Sequence, residues 1–198
     1  MLKGCDCLPG TRNGPYAEGM AEMLAAFLRD PLFLEKQLGL DRRAVDLFMQ
    51  DARERDLIAL RRTLLDLGVQ YMLYVNPDAD LGRRYRELYA KALGVFVQAD
   101  GPVSWEGDLD LVIRPASAQD RVIGATIAAE IQQKIRAQLG DARFGSGKTA
   151  AWLIEHCFAD GELLPLEERM AHAFDGGYKF ELYLETLGIE SPAAPARN

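Results

Sequence analysis

Histidine and cysteine are scarce in this chain: its 198 residues include two histidines, His156 and His172, and three cysteines, Cys5, Cys7 and Cys157. An odd and low cysteine count leaves no disulfide scaffold, so a reducing compartment, the cytoplasm, is expected. Cys5 and Cys7 would need further ligands to hold a metal, and no second Cys or His cluster supplies them, so they read as thiols of an N-terminal loop. His-Glu-x-x-His is absent from the whole chain, and so is Gly-x-Ser-x-Gly. With no cysteine in a papain-like context either, serine and cysteine nucleophiles have no support. No apolar run approaches the ~20 residues of a membrane span. The start, Met1-Leu2-Lys3-Gly4-Cys5-Asp6-Cys7, has no apolar core of a signal peptide. A basic surplus is also missing: 23 Lys and Arg stand against 30 Asp and Glu, a net charge of −7. Phosphate tracking needs clustered cations, so nucleic acid is excluded as a partner.

What remains is a globular composition, 48% hydrophobic and 27% charged, in the range of folded domains. Helical spacing dominates it. Met20, Met23, Leu24, Phe27 and Leu28 recur with the period of a helix over 16–29, which Pro31 is expected to stop. Asp41 is placed to cap a long helix reaching about Tyr74, ended by Asn76-Pro77-Asp78. Within it, Asp51-Ala52-Arg53-Glu54-Arg55-Asp56 reads as a solvated face with i,i+4 pairing. A further helix runs from Asp80 to Gly94. Trp105 to Arg114 is the one stretch without helical period; it suits a short strand or a buried loop. Pro115 to Leu139 carries Ile123, Ile127, Ile131 and Ile135 at a spacing of four, with Gly140 as its C-terminal cap. Helices at 149–158, 166–174 and 178–187 follow. The expectation is an all-α, irregular multi-helix domain over 1–190, with at most one short strand and a disordered tail at 191–198.

The segment Ala142-Arg143-Phe144-Gly145-Ser146-Gly147-Lys148-Thr149 approaches a phosphate-loop pattern. That chemistry needs a strand entering the loop, whereas the residues before it, 128–139, have a helical period. An interhelix loop is the better reading. His156 lies among the core-like Trp152, Leu153 and Phe158, and neither histidine has another at i+4, so both read as structural. Glu18 and Glu22 are different: at i and i+4 they share one helix face, amid Gly19, Met20, Ala21, Met23 and Leu24. They are either two surface acids on a capped helix or the lining of a cleft, and the residues alone leave both open.

With Asn13-Gly14-Pro15 before Glu18-Gly19-Met20-Ala21-Glu22, the sequence resembles the helical gluzincin zinc peptidases, the relatives of angiotensin-converting enzyme, thimet oligopeptidase and carboxypeptidase Taq. In that group a glutamate after a Gly/Pro-rich loop is the third zinc ligand, and an acid four residues later supports it. The order of weaker patterns, including Trp152-Leu153-Ile154, Leu166-Glu167-Glu168-Arg169-Met170, Gly176-Gly177 and Leu187-Gly188, extends the likeness over nearly the whole chain. It corresponds to the C-terminal part of a typical member. The resemblance implies Glu18 as a metal ligand and Glu22 as its support. The family's His-Glu-x-x-His helix would then lie beyond Met1. The family's late His and Tyr are missing from 112–123, where Arg114 and Arg121 are instead candidates for binding a substrate carboxylate.

These expectations define a C-terminal lobe of a zinc metallopeptidase-like protein, which hydrolyses peptides only if an external helix completes it. The alternative is a non-catalytic helical interaction module of the same fold. Zinc is not expected to bind stably to this chain alone. The expected partners are a peptide substrate or a polypeptide that supplies the missing helix. An exposed apolar groove is expected, with homodimerisation as one consequence.

Overall fold

A computed structural model describes residues 14–98, 101, 104–114, 117–159, 161, 163–173 and 179–190. Among the described residues the regular structure is all helical, in an irregular all-α arrangement: α1 (Gly14–Leu28), α2 (Pro31–Lys36), α3 (Arg42–Val75), α4 (Leu81–Leu93), α5 (Asp110–Ile113), α6 (Ser117–Leu139), α7 (Lys148–Leu153), α8 (Leu166–Ala173) and α9 (Phe180–Thr186). A tight 3₁₀ turn, Gly140–Arg143, follows α6, and a π-helical turn, Ile154–Phe158, continues α7. Cys5, Cys7 and the tail at 191–198 lie outside the described residues. No described helix is long and apolar enough to cross a membrane.

Aspartates start three of these helices. Asp30 Oδ1 accepts from Leu32 N at 2.9 Å, Asp41 Oδ1 from Ala44 N at 2.8 Å, and Asp80 Oδ1 from Arg83 N at 3.0 Å. Each satisfies an amide the first turn leaves unpaired. As expected, α1 ends at Leu28, ahead of Pro31; Pro31 in turn opens α2 behind the Asp30 cap, where its fixed φ and missing N–H suit the first helical position. The stretch 105–114 holds no strand among its described residues. Its C-terminal part is the short helix α5, whose Leu111 is buried. The α3 helix runs 34 residues, as its spacing predicts. Gly94 closes α4 in the left-handed region at φ 67°.

Two separate cores result. The larger one packs α1 on α6 and adds Trp152, Leu153, Cys157, Met170 and Ala173 from α7, the π turn and α8. Ile127, Ile131 and Ile135 are its fully buried spine. Tyr16 spans it, its hydroxyl donating to Cys157 O at 2.7 Å and its ring lying under Arg169 at 4.3 Å. The smaller core joins the C-terminal half of α3 to α4, α5 and Trp105 through Leu65, Val69, Tyr85 and Leu111. The long α3 belongs to the smaller core at one end and passes beside the larger at the other, so space opens between α3 and α6.

Buried polar groups tie the elements together. Asp30, 1% exposed, takes Arg143 through Nη2 at 2.8 Å and Nε at 3.2 Å, with Arg136 at 3.3 Å. Glu130, on α6, accepts Lys179 N–H at 2.7 Å and so anchors the start of α9. Burial raises the Glu130 carboxyl above its ordinary range, against the pull of the Lys179 amide and ammonium.

Candidate functional site

The space between α3 and α6 is a groove of about 780 Å³ walled by α1, α3, α6 and α9. Its floor is small: Val122, Ala125, Ala128 and Ala129 face it from α6, with Ala26 from α1 and Ala52 and Ala59 from α3. On α6 these residues lie on a different face from the isoleucine spine, because i, i+3 and i+4 positions share a face of a 3.6-residue helix. Its rim is charged: Glu18, Glu22, Asp56 and Glu185 alternate with Arg29, Arg53, Arg62, Arg121 and Arg136. A second concavity of about 430 Å³ adjoins it, lined by Gly14, Ala17, Glu18, Asp110, Arg114, Ser117, Asp120 and Arg121.

All four nominated residues meet here. Glu18 and Arg121 line both concavities, Glu22 lines the larger, and Arg114 lines the smaller. Glu18 is half-buried and Glu22 exposed, and both stand on the wall of the larger groove. What positions them is a close crossing of α1 and α6. A β-carbon on Gly124 would lie 2.8 Å from both Gly19 N and Glu18 Cβ, and one on Gly19 would lie 2.8 Å from Ile127 Cγ2. A β-carbon at Gly14 would collide with the Asp120 carboxylate. Three glycines thereby let the first turns of α1 lie flat on α6, with the carboxylates turned along the groove. Gln132 Nε2 fixes the far end by donating to Met23 O at 3.0 Å.

The charges are unevenly committed. Arg29 Nη1 reaches both carboxylate oxygens of Asp56 at 2.7 Å, a bridge from α1 to α3, while its Nη2 stands 3.8 Å from Glu22. Arg62 pairs with Asp66 at 3.3 Å and Asp108 at 3.4 Å. Arg121 reaches the buried Asp66 only at 4.0 Å. Glu18, Arg53 and Arg114 make no ion pair among the described residues. Asp120 has its carboxyl raised by burial and then by the neighbouring Glu18, with Arg114 opposing. Asp66 is likewise raised, by burial first, against Arg62. Tyr183 of α9 also lines the groove; burial, then Asp56 and Glu22, push its phenol up to about 12, so it stays a neutral O–H donor at any physiological pH.

Zinc needs three protein ligands and an open position. Among the described residues no group of three His, Cys, Asp or Glu side chains could hold a metal ion. A zinc site built on Glu18 would therefore need ligands from outside the described residues.

The other candidates fall to structural roles. His156 accepts or donates at Nδ1 to Trp152 O at 2.9 Å and stacks on the Trp152 ring at 4.5 Å. His172 sits on the exposed side of α8. In the phosphate-loop-like stretch no strand enters; α6 and the 3₁₀ turn do. Ser146 Oγ donates to Ala142 O, Thr149 Oγ1 donates to Arg143 O at 2.6 Å, and Arg143 is bound to Asp30. These hydroxyl hydrogen bonds and the Arg143–Asp30 pair hold the loop against the fold.

Arg29, Asp56, Gln132 and Tyr183 were not singled out by the sequence. Asp56 had been grouped with a solvated helix face, and its partner Arg29 lies 27 residues away, beyond any local pattern. The alanines 125, 128 and 129, opposite the isoleucines of α6, are the one signal that could have indicated a groove. Compared with family models, curated proteins and solved structures, the chain matches none.

Proposed function

We propose that this chain is the polypeptide-binding helical lobe of a metallopeptidase-like protein, able to take part in peptide hydrolysis only when an external helix bearing His-Glu-x-x-His completes it. The observation that supports this reading is Glu18. It is a half-buried carboxylate without an ion-pair partner among the described residues, it lines both concavities, and Glu22 shares its groove one helical turn later. An acid on the wall of both concavities is placed to meet a cationic or hydrogen-bonding group from outside these residues. The groove volume lies in the range of ligand sites, roughly 300–1,000 Å³.

A second reading, a non-catalytic interaction module, is favoured by the lining of the smaller concavity, where Arg114, Ser117, Asp120 and Arg121 stand and neither His nor Tyr is present. Purified alone, the chain binds no stoichiometric zinc and cleaves no peptide under either reading. The two part on the coding sequence ahead of Met1. If an in-frame His-Glu-x-x-His is there, the longer chain gains stoichiometric zinc by atomic emission and cleaves a quenched peptide library in a chelator-sensitive way, and Glu18→Gln removes both. If it is not there, the interaction module stands. Chelator-sensitive cleavage by the isolated chain, or full zinc retention in Glu18→Gln, sinks the peptidase reading.

A further inference from the structure

We propose that the smaller concavity binds a free α-amino acid as its zwitterion, with Arg114 and Arg121 taking the carboxylate and Glu18 and Asp120 taking the ammonium group. This goes beyond the peptidase reading: no metal and no external helix take part, and the counterpart of Glu18 is an organic cation. What carries it is a set of opposite charges that line one concavity without closing on one another. Glu18, Asp120 and Arg114 make no side-chain ion pair or hydrogen bond among the described residues, and Arg121 reaches Asp66 only at 4.0 Å. The Asp120 carboxyl is pushed up by burial and by Glu18 and pulled down by Arg114, so charges of both signs act across this space.

The fold holds these groups in place. Gln70, buried on α3, donates through Nε2 to Arg114 O at 3.1 Å and so ties down the end of α5. Gly14 leaves room for the Asp120 carboxylate, which a β-carbon there would strike. A ligand of one sign would suit only half of this lining: a lone carboxylate would face Glu18 and Asp120, and a lone amine would face the two arginines. An ammonium offers three N–H donors, and a guanidinium binds a carboxylate through two parallel hydrogen bonds. An amino acid carries both groups on one carbon. Among the described residues no three acids, histidines or cysteines come together to hold a metal ion, whereas an ammonium can use separate acceptors. The concavity, about 430 Å³, is in the size range of small-molecule sites. Its neutral lining among the described residues is Gly14, Ala17 and Ser117. With no large apolar wall there, the ligand's own side chain is short or polar.

The test titrates each proteinogenic L-amino acid into the full chain by isothermal calorimetry. The tightest binder is then compared with its N-acetyl and carboxamide derivatives, which lack the ammonium and the carboxylate in turn. Each derivative should bind about tenfold or more weakly, the worth of a charge-assisted contact. This arm changes only the ligand, so folding does not enter it. Arg114 is exposed, and Arg114→Gln should weaken the free amino acid about tenfold while leaving its carboxamide unchanged. Asp120→Asn should weaken the free amino acid and leave the N-acetyl form unchanged. Equal binding of the amino acid and both derivatives overturns the proposal. So does the absence of binding by every amino acid up to about 10 mM, or a preference for large aromatic side chains. Tighter binding of glycylglycine than of any free amino acid assigns the concavity to peptides and overturns it as well. None of these outcomes touches zinc uptake by a chain extended with His-Glu-x-x-His, so the peptidase reading stands or falls separately.

Discussion

Gly19 and Gly124 meet backbone to backbone where α1 crosses α6: a β-carbon on Gly124 would stand 2.8 Å from the Gly19 nitrogen, and one on Gly19 would stand 3.1 Å from the Gly124 carbonyl oxygen. Main-chain atoms cannot rotate aside as a flexible side chain can. Gly124→Ala should therefore force the helices apart, at an overpacking cost of about 1–3 kcal/mol, of which better helix propensity returns roughly 1 kcal/mol. A net loss of up to about 2 kcal/mol is expected in urea unfolding. Gly107, with nothing within 4 Å of its would-be β-carbon, is the control and should change little. Because Glu18 Cβ would also stand 2.8 Å from the new β-carbon, the variant should disturb the groove as well as stability.

The Asp30 cluster separates a structural loop from a nucleotide site. Asp30 is buried, caps α2 and neutralises Arg143 and Arg136. Removing one partner of a buried ion pair leaves an uncompensated charge. Asp30→Ala should cost about 3 kcal/mol or more, read as a fall in the midpoint of denaturant unfolding. Lys148 is exposed at the start of α7, so Lys148→Ala should leave both the midpoint and any response to an ATP analogue unchanged. A nucleotide-dependent stabilisation lost in Lys148→Ala would restore the phosphate-loop reading.

Long helices with side-chain caps were legible because their determinants are local. Asp41 and Asp80 act on amides three residues ahead, and the isoleucines of α6 repeat within the helix they stabilise. Pro31 was legible as the stop of α1, which ends at Leu28; that it also opens α2 depends on the Asp30 side chain turned to Leu32 N. The stretch around Leu109-Asp110-Leu111 alternates like a strand, yet no neighbouring strand exists among the described residues to pair with it, and tertiary packing against Val69 and Leu65 makes it helical. At the site, the Glu18–Glu22 spacing showed a shared face, but which way that face points depends on Gly19 and Gly124, 105 positions apart in sequence. The Arg29–Asp56 bridge and the hydrogen bond from Gln132 to Met23 O have no sequence signature at all.

An uncovered stripe on α3 bears on self-association. Leu65 and Val69 are buried in the smaller core with Tyr85 of α4, but α4 ends at Leu93. Leu47 and Ile58, each 60% exposed, lie on the N-terminal half of α3, with Val95 and Phe96 also exposed just after α4. Asp51, Glu54 and Arg55 are exposed between Leu47 and Ile58 on this helix, so a self-association surface here would be mixed, with the exposed apolar side chains as its anchors. Sedimentation velocity should show a concentration-dependent dimer, and the double variant Leu47→Glu/Ile58→Glu should be monomeric with an unchanged helical spectrum. A wild-type chain monomeric up to about 100 µM, where a standard-sized interface would already associate, rules the dimer out.

Glu130 sets a pH dependence whose direction can be worked out. It is 2% exposed, and burial raises its carboxyl above the ordinary 4.5, opposed by the Lys179 amide, the Lys179 ammonium and the Lys134 ammonium. The folded chain therefore holds this proton more tightly than the unfolded chain does. Linkage makes the favourable contribution complete below the unfolded value and removes it as pH rises from about 4.5 through the folded one. At neutral pH the ionised carboxylate is a deficit. Glu130→Gln keeps an oxygen to accept the Lys179 N–H but carries no charge, so its melting temperature should exceed that of the wild type at pH 7. The difference should shrink toward pH 4, where the wild-type carboxyl is protonated too. Asp66 and Asp120, also raised by burial, remain in both proteins and cancel from the comparison. If Glu130→Gln melts lower than the wild type at pH 7, the charged hydrogen bond to α9 outweighs the cost of burying the carboxylate, and the assigned direction is wrong.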